Sequence, residues 1–323
     1  MHFRYSRMIA VVLSMAVFFS PSARAQDVVA PWTGMGQHRE AASSLPQGAA
    51  RSSIHPYASP PGANVECAHR GQPPVILLHG MSSNAYAAFS QISQALHREG
   101  RCVFAINYGY YGADRHSMAG RLPGFFALAP MEDSLQEVSR HIAMVKEHTG
   151  AQEVDLVGWS EGGALAAAYA KRNGGHDVRN VVTLAGVLRG TSALGMSNLE
   201  QQLLAAGMHP NVAIDSMLGP AGNDLLAGSA FMNELIDGAV EVPGVHYTAI
   251  STLYDEAATP LSATQFSGGD HRNIVLQEGC QADRVDHLGI VYDQRAIAFV
   301  LQAVGERAVV PCGENFGPIP GKS

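Results

Sequence analysis

Charge is scarce in this chain of 323 residues: Asp, Glu, Lys and Arg make up 15% of it, against the roughly 25% of an average globular protein, and the formal net charge is −7. A thinly charged, net-negative surface excludes nucleic acid and anionic membrane as electrostatic partners, and leaves neutral lipids and esters open. Metal-binding spacings are missing as well. The 14 histidines contain no H-E-x-x-H and no H-x-H pair, and the four cysteines contain no C-x-x-C. No dinucleotide fingerprint or phosphate loop occurs, since the glycines from Gly158 to Gly163 enclose a serine rather than the G-x-G-x-x-G pattern. The expectation is chemistry without metal or cofactor. Internal repeats are absent, and beyond residue 25 no stretch approaches membrane-spanning length without a charge, Gly or Pro.

What is present begins with an export signal over residues 1–25. Arg4 and Arg7 give a positive start, Met8 to Phe19 is an apolar run too short to span a bilayer, and Ala23-Arg24-Ala25 is a small-x-small cleavage pattern. Cleavage after Ala25 gives a secreted or periplasmic protein. In such a compartment Cys67, Cys102, Cys280 and Cys312 read as two disulfides; of the three pairings allowed, sequence order favours Cys67–Cys102 and Cys280–Cys312. Residues 26–63 are rich in Ala, Ser, Pro and Gly without a sustained apolar period, and read as an extended lead-in.

From Pro74 a regular alternation sets in. Val75 to Leu78 is a short continuous apolar run, as in a strand buried on both faces, and Phe89, Ile92 and Leu96 recur at helical spacing before Gly100. Cys102 to Ile106 is the next strand. Residues 131–148 carry a clear amphipathic helix with Leu135, Val138, Ile142 and Val145 on one face and Gly150 as its stop. Strands follow at 154–157, 180–184, 247–253 and 273–276, with helices over 162–171 and 293–304. This rhythm predicts one α/β domain, residues 64–323, with a mostly parallel central sheet covered by helices on both faces. Residues 186–245 interrupt it with an insertion rich in Gly, Ala, Leu and Met. Ser197 and Glu200 have capping-box spacing there, ahead of Leu203 and Leu204. The insertion reads equally as a lid or acyl-binding wall and as a layer that covers the sheet.

The segment from Val154 to Gly163 carries the chemistry: a strand, then Gly158-Trp159-Ser160-Glu161-Gly162, then a helix. G-x-S-x-G at a sharp strand-to-helix turn projects a serine hydroxyl from the scaffold, and the strained turn demands small neighbours, here Gly158 and Gly162. Ser160 is therefore the expected nucleophile. The acid should lie just past a late strand, where Asp255 stands with Glu256 as its adjacent rival. The base should follow the last strand, which selects His287 in Asp286-His287-Leu288-Gly289 over His271, which precedes that strand. Backbone N–H groups of Met81 and Glu161 are the expected oxyanion hole, and His79 reads as a structural histidine holding the first loop.

With these residues in view, the chain resembles the secreted bacterial triacylglycerol lipases of the class-2 lipase group, within the α/β-hydrolase superfamily. The resemblance runs from about Cys67 to Cys312. It rests on Pro74 to Gly80, Cys102 to Gly109, the serine elbow, Pro243 to Thr248, Tyr254-Asp255-Glu256 with Thr259-Pro260, and Asp286 to Gly289. It implies an α/β-hydrolase fold, the triad Ser160, Asp255 and His287, the same oxyanion donors and the same two disulfides. The chain departs from the group's G-H-S-Q-G elbow by carrying Trp159 and Glu161. The expected activity is hydrolysis of acylglycerol esters through an acyl-serine intermediate. A short-chain carboxylesterase or polyesterase, or an acyltransferase using the same triad, are the alternatives. The expected partner is a lipid or small ester substrate, with transient contact at a lipid interface and no obligate protein partner evident.

Overall fold

The computed structural model describes residues 40–67, 71–112, 117–192, 214–216 and 218–317. The export signal lies outside them, as do Ser197 and Glu200 of the insertion. Among the described residues no helix is long and apolar enough to cross a membrane.

Six parallel strands form the central sheet: β1 (Val75–Leu78), β2 (Val103–Ile106), β3 (Val154–Trp159), β4 (Val178–Leu184), β5 (His246–Ser251) and β6 (Asp270–Val275), in the order β2-β1-β3-β4-β5-β6. Every pairing is parallel, so the C-terminal ends of all six strands open on one edge. β1, β2 and β3 are buried throughout, which explains the continuous apolar sequences of β1 and β2; in β3 the buried Asp155 is paired with Arg101 and Arg179. This is the α/β-hydrolase fold.

Helices cover both faces. Ahead of β1 runs α1 (Leu45–Ser52); α2 (Ala85–Arg98) follows β1, α3 (Met131–Thr149) follows β2 and α4 (Glu161–Arg172) follows β3. Within the insertion stand α5 (Pro220–Asp224) and α6 (Ala230–Ile236), and α7 (Gln294–Ala303) closes the domain. One core layer joins α3, α4, α5 and α6 through Leu135, Val138, Leu165, Leu225, Phe231 and Met232; the other joins α2 and α7 through Phe89, Ile92, Ile297 and Val300. The described helices of the insertion thus pack on α3 and α4. Gly150 ends α3 in the left-handed conformation, as expected from its position.

The lead-in differs from the extended strap read from its composition. Ser44 caps α1 by accepting from the Gln47 N–H, Pro46 sits in the first turn, and Gly48 packs so closely on α2 that a Cβ there would stand 2.8 Å from the Ala87 Cα. The inward face is Leu45, Gly48 and Ser52. Glycine adds no side chain and serine is polar, so no hydrophobic period announces the helix. Further on, Ala63 pairs with Val103 beside β2.

Both expected disulfides form, Cys67–Cys102 with Cα atoms 5.6 Å apart and Cys280–Cys312 at 5.4 Å. Such bonds fit an oxidising compartment.

Candidate active site

The site lies at the C-terminal edge of the sheet, where β3 turns into α4. Ser160 occupies the turn with φ +55° and ψ −119°, a conformation that L-residues adopt only when the surroundings impose it. Its N–H donates to the Leu184 carbonyl (3.0 Å), and its own carbonyl accepts from the Gly163 and Val187 N–H groups (3.0 and 3.2 Å). Glycine is needed at both flanking positions for space. A Cβ on Gly158 would stand 2.2 Å from the Gly162 carbonyl oxygen, and one on Gly162 would stand 2.0 Å from that of Leu78.

His287 Nε2 lies 2.9 Å from Ser160 Oγ, and its Nδ1 lies 3.0 Å from Asp255 Oδ2. The structure thus brings Ser160, His287 and Asp255 into one hydrogen-bonded line, with the histidine and the carboxylate both almost wholly buried. The other Asp255 oxygen accepts from the Ala257 and Ala258 N–H groups (2.9 and 2.7 Å), so the carboxylate has no freedom to swing. Glu256, its sequence neighbour, does something else: it accepts the His287 backbone N–H at 3.2 Å. His271 lies on β6 at the opposite end of the sheet and is exposed.

Three contacts that sequence reasoning missed hold the histidine loop. Trp159 donates its indole N–H to the His287 carbonyl at 3.0 Å. Gln277, just past β6, accepts from the Leu253 N–H (2.9 Å) and donates to the Thr252 hydroxyl and the Asp283 carbonyl (both 3.1 Å), joining the loops that carry Asp255 and His287. Asp286 accepts from the Gly289 N–H at 2.7 Å. A signal existed only for the last, an Asp three residues before a glycine.

Beside the serine runs the loop after β1. A Cβ on Gly80 would meet Ser160 Cβ at 3.0 Å and the Trp159 ring at 2.9 Å, so this backbone passes directly against the elbow and carries Met81 next to it. Glu161 supplies the first residue of α4. His79 is buried, its Nδ1 bonds the Gly80 carbonyl at 2.9 Å, and its ring stacks on Tyr108 at 4.5 Å. Burial pushes its pKa down to about 4, so it is neutral and holds the loop, as the sequence order implied.

The electrostatics are set by Glu161. Its side chain is fully buried, and neither carboxylate oxygen has a hydrogen-bond partner among the described residues. Loss of solvation, followed by the charge of Asp224, holds its pKa well above the usual carboxylate range. Burial thus opposes a negative charge beside the serine. Among the described residues no cluster of three potential metal ligands occurs.

This arrangement can draw a proton from a hydroxyl as that hydroxyl attacks an electrophilic carbon. The family model for the alpha/beta hydrolase fold matches residues 73–213. Among solved structures, lipase B of Aspergillus fumigatus aligns with a TM-score of 0.57 at 17% identity, covering 78% of this chain and 59% of that one. Phospholipase PlaB from Legionella pneumophila aligns with a TM-score of 0.53 at 11% identity, covering 74% of this chain and 60% of that one. This chain therefore spans about three-fifths of the length of each. At such identities the likeness is one of fold.

Proposed function

We propose that this protein is an exported serine hydrolase that cleaves carboxylic esters, acylglycerols foremost, in the manner of the bacterial class-2 lipases it resembles. The observation that carries the reading is the continuous line Ser160–His287–Asp255 at 2.9 and 3.0 Å, raised on a strained strand-to-helix turn. Ser160 Oγ attacks the ester carbonyl carbon while His287 Nε2 takes its proton. Asp255 orients the imidazole and stabilises its cation. The tetrahedral oxyanion is met by the Met81 and Glu161 N–H groups, the latter reinforced by the start of α4. Collapse expels the alcohol, which receives the proton from His287. Water, activated by the same histidine, then releases the acid and restores the serine.

The two disulfides and the N-terminal signal pattern support export. Ser160→Ala tests the reading on p-nitrophenyl esters from acetyl to palmitoyl. The expected loss in kcat is on the order of 10⁴-fold or more, with an unchanged thermal transition. Turnover retained in that variant would remove Ser160 from the reaction.

A further inference from the structure

A cleft of about 190 Å³ opens beside the elbow. Met81 and Trp159 line it next to the serine, Leu288 lines it next to His287, and Leu45 and Ala49 of α1 bound it on the side of the lead-in. The geometry points to this cleft as the acyl site of the proposed ester hydrolase, with α1 as the wall that sets acyl-chain length. The inference rests on the serine-hydrolase reading and adds to it a substrate class: esters of short to medium acyl chains.

Three features carry it. The first is position, because the cleft is continuous with the backbone proposed to hold the oxyanion.

The second is size. At 190 Å³ the cleft falls short of the ~300 Å³ where sites for drug-sized ligands begin. So small a recess suits a short or medium acyl chain better than a palmitoyl chain.

The third is the fixity of the wall. Gly48 sits hard against Ala87, Ser52 Oγ lies 3.0 Å from Asn84 Oδ1, and Arg51 donates to the Tyr86 hydroxyl at 3.2 Å. Asn84 in turn donates to the Gly124 carbonyl at 2.7 Å, which fixes the segment that brings Phe125 to the same cleft. A firmly anchored apolar recess suits the part of the ester that stays covalently bound through both half-reactions. The alcohol must leave, and water must enter, by an open path.

Two variants of the full-length protein test the wall in opposite directions. Leu45→Ala lengthens the cleft, and Ala49→Leu, at an exposed helical position that accepts leucine, shortens it. Rates are read on p-nitrophenyl esters of increasing acyl length, and in parallel on acetate esters of alcohols of increasing length. The wild type should turn over butyryl to octanoyl esters faster than the palmitoyl ester. Leu45→Ala should raise the octanoyl-to-butyryl rate ratio about tenfold and Ala49→Leu should lower it by a similar factor, the effect of about one methylene accepted or refused by an apolar pocket. An acyl profile unmoved by Ala49→Leu overturns the inference, as does a shift confined to the alcohol series, which would make the cleft the alcohol site. Ester turnover that Ser160→Ala leaves intact would instead sink the parent reading.

Discussion

Glu161 is a glutamate whose charged form the fold opposes. The residue directly follows the serine at the elbow, while its side chain lies in the core without a polar partner among the described residues. A raised folded-state pKa means that the unfolded chain releases the proton first as pH climbs. Stability is therefore fully present below the ordinary glutamate pKa and falls as pH rises toward the folded one. Glu161→Gln removes that dependence. Its thermal transition relative to wild type should improve as pH rises above the ordinary glutamate pKa, read as a gap in Tm that widens from pH 4 to pH 8. A difference between the two proteins that stays constant with pH would mean that Glu161 ionises in the folded state as it does in the unfolded. The residues nearest the chemistry divide by how they were legible. Ser160, Asp255 and His287 stand out because motif and chain order define them. The parts played by Trp159, Glu256 and Gln277 depend on partners 128, 31 and 24 residues away, which no local pattern encodes.

Among the elements, the tightest meeting is that of β1 with the first turn of α4. Gly162 permits it, its Cα facing the Leu78 carbonyl with no room for a methyl group. Gly162→Ala should cost at least the ~1–3 kcal/mol typical of overpacking, because the obstruction is backbone on both sides, and denaturant titration would register it as a lowered midpoint. A midpoint equal to wild type would show that β1 and α4 can part freely. The strands and long helices were readable because burial on both faces of a parallel sheet writes unbroken apolar runs, and a half-buried helix such as α3 writes a 3.6-residue period. Helix α1 was not readable by that signal, since its contact face is mostly small. The cap at Ser44 with Pro46 two residues on was the available cue.

At the scale of the whole molecule, the described segments before β1 and after α7 are fastened back onto the domain. The C-terminal segment returns through Cys280–Cys312, through Pro311, whose carbonyl accepts from Arg295 at 3.0 Å, and through the short pair β7 (Asp283–Arg284) and β8 (Asn315–Phe316), which lies beside the histidine loop. The paired variant Cys280→Ser with Cys312→Ser should lower stability by about 3–4 kcal/mol, as expected for a closed loop of 32 residues. It should also lower kcat at temperatures below the transition, as the histidine loop loosens; stopped esterase assays against urea midpoints would separate the two effects, and unaltered values of both would leave the bridge without a role. The lead-in is fastened differently. Asn64 donates its backbone N–H to the Val103 carbonyl (2.9 Å), and its side-chain amide both donates to the Ala105 carbonyl (2.8 Å) and accepts from the Ala105 N–H (3.0 Å). One asparagine thereby impersonates a seventh strand along the outermost row of the sheet, and Cys67–Cys102 rivets it in place. Outer rows left bare recruit other chains into intermolecular sheets. Loss of that single bond should therefore open the outer row to other chains while the interior is still intact, which makes the bridge a guard against clumping as much as a source of stability.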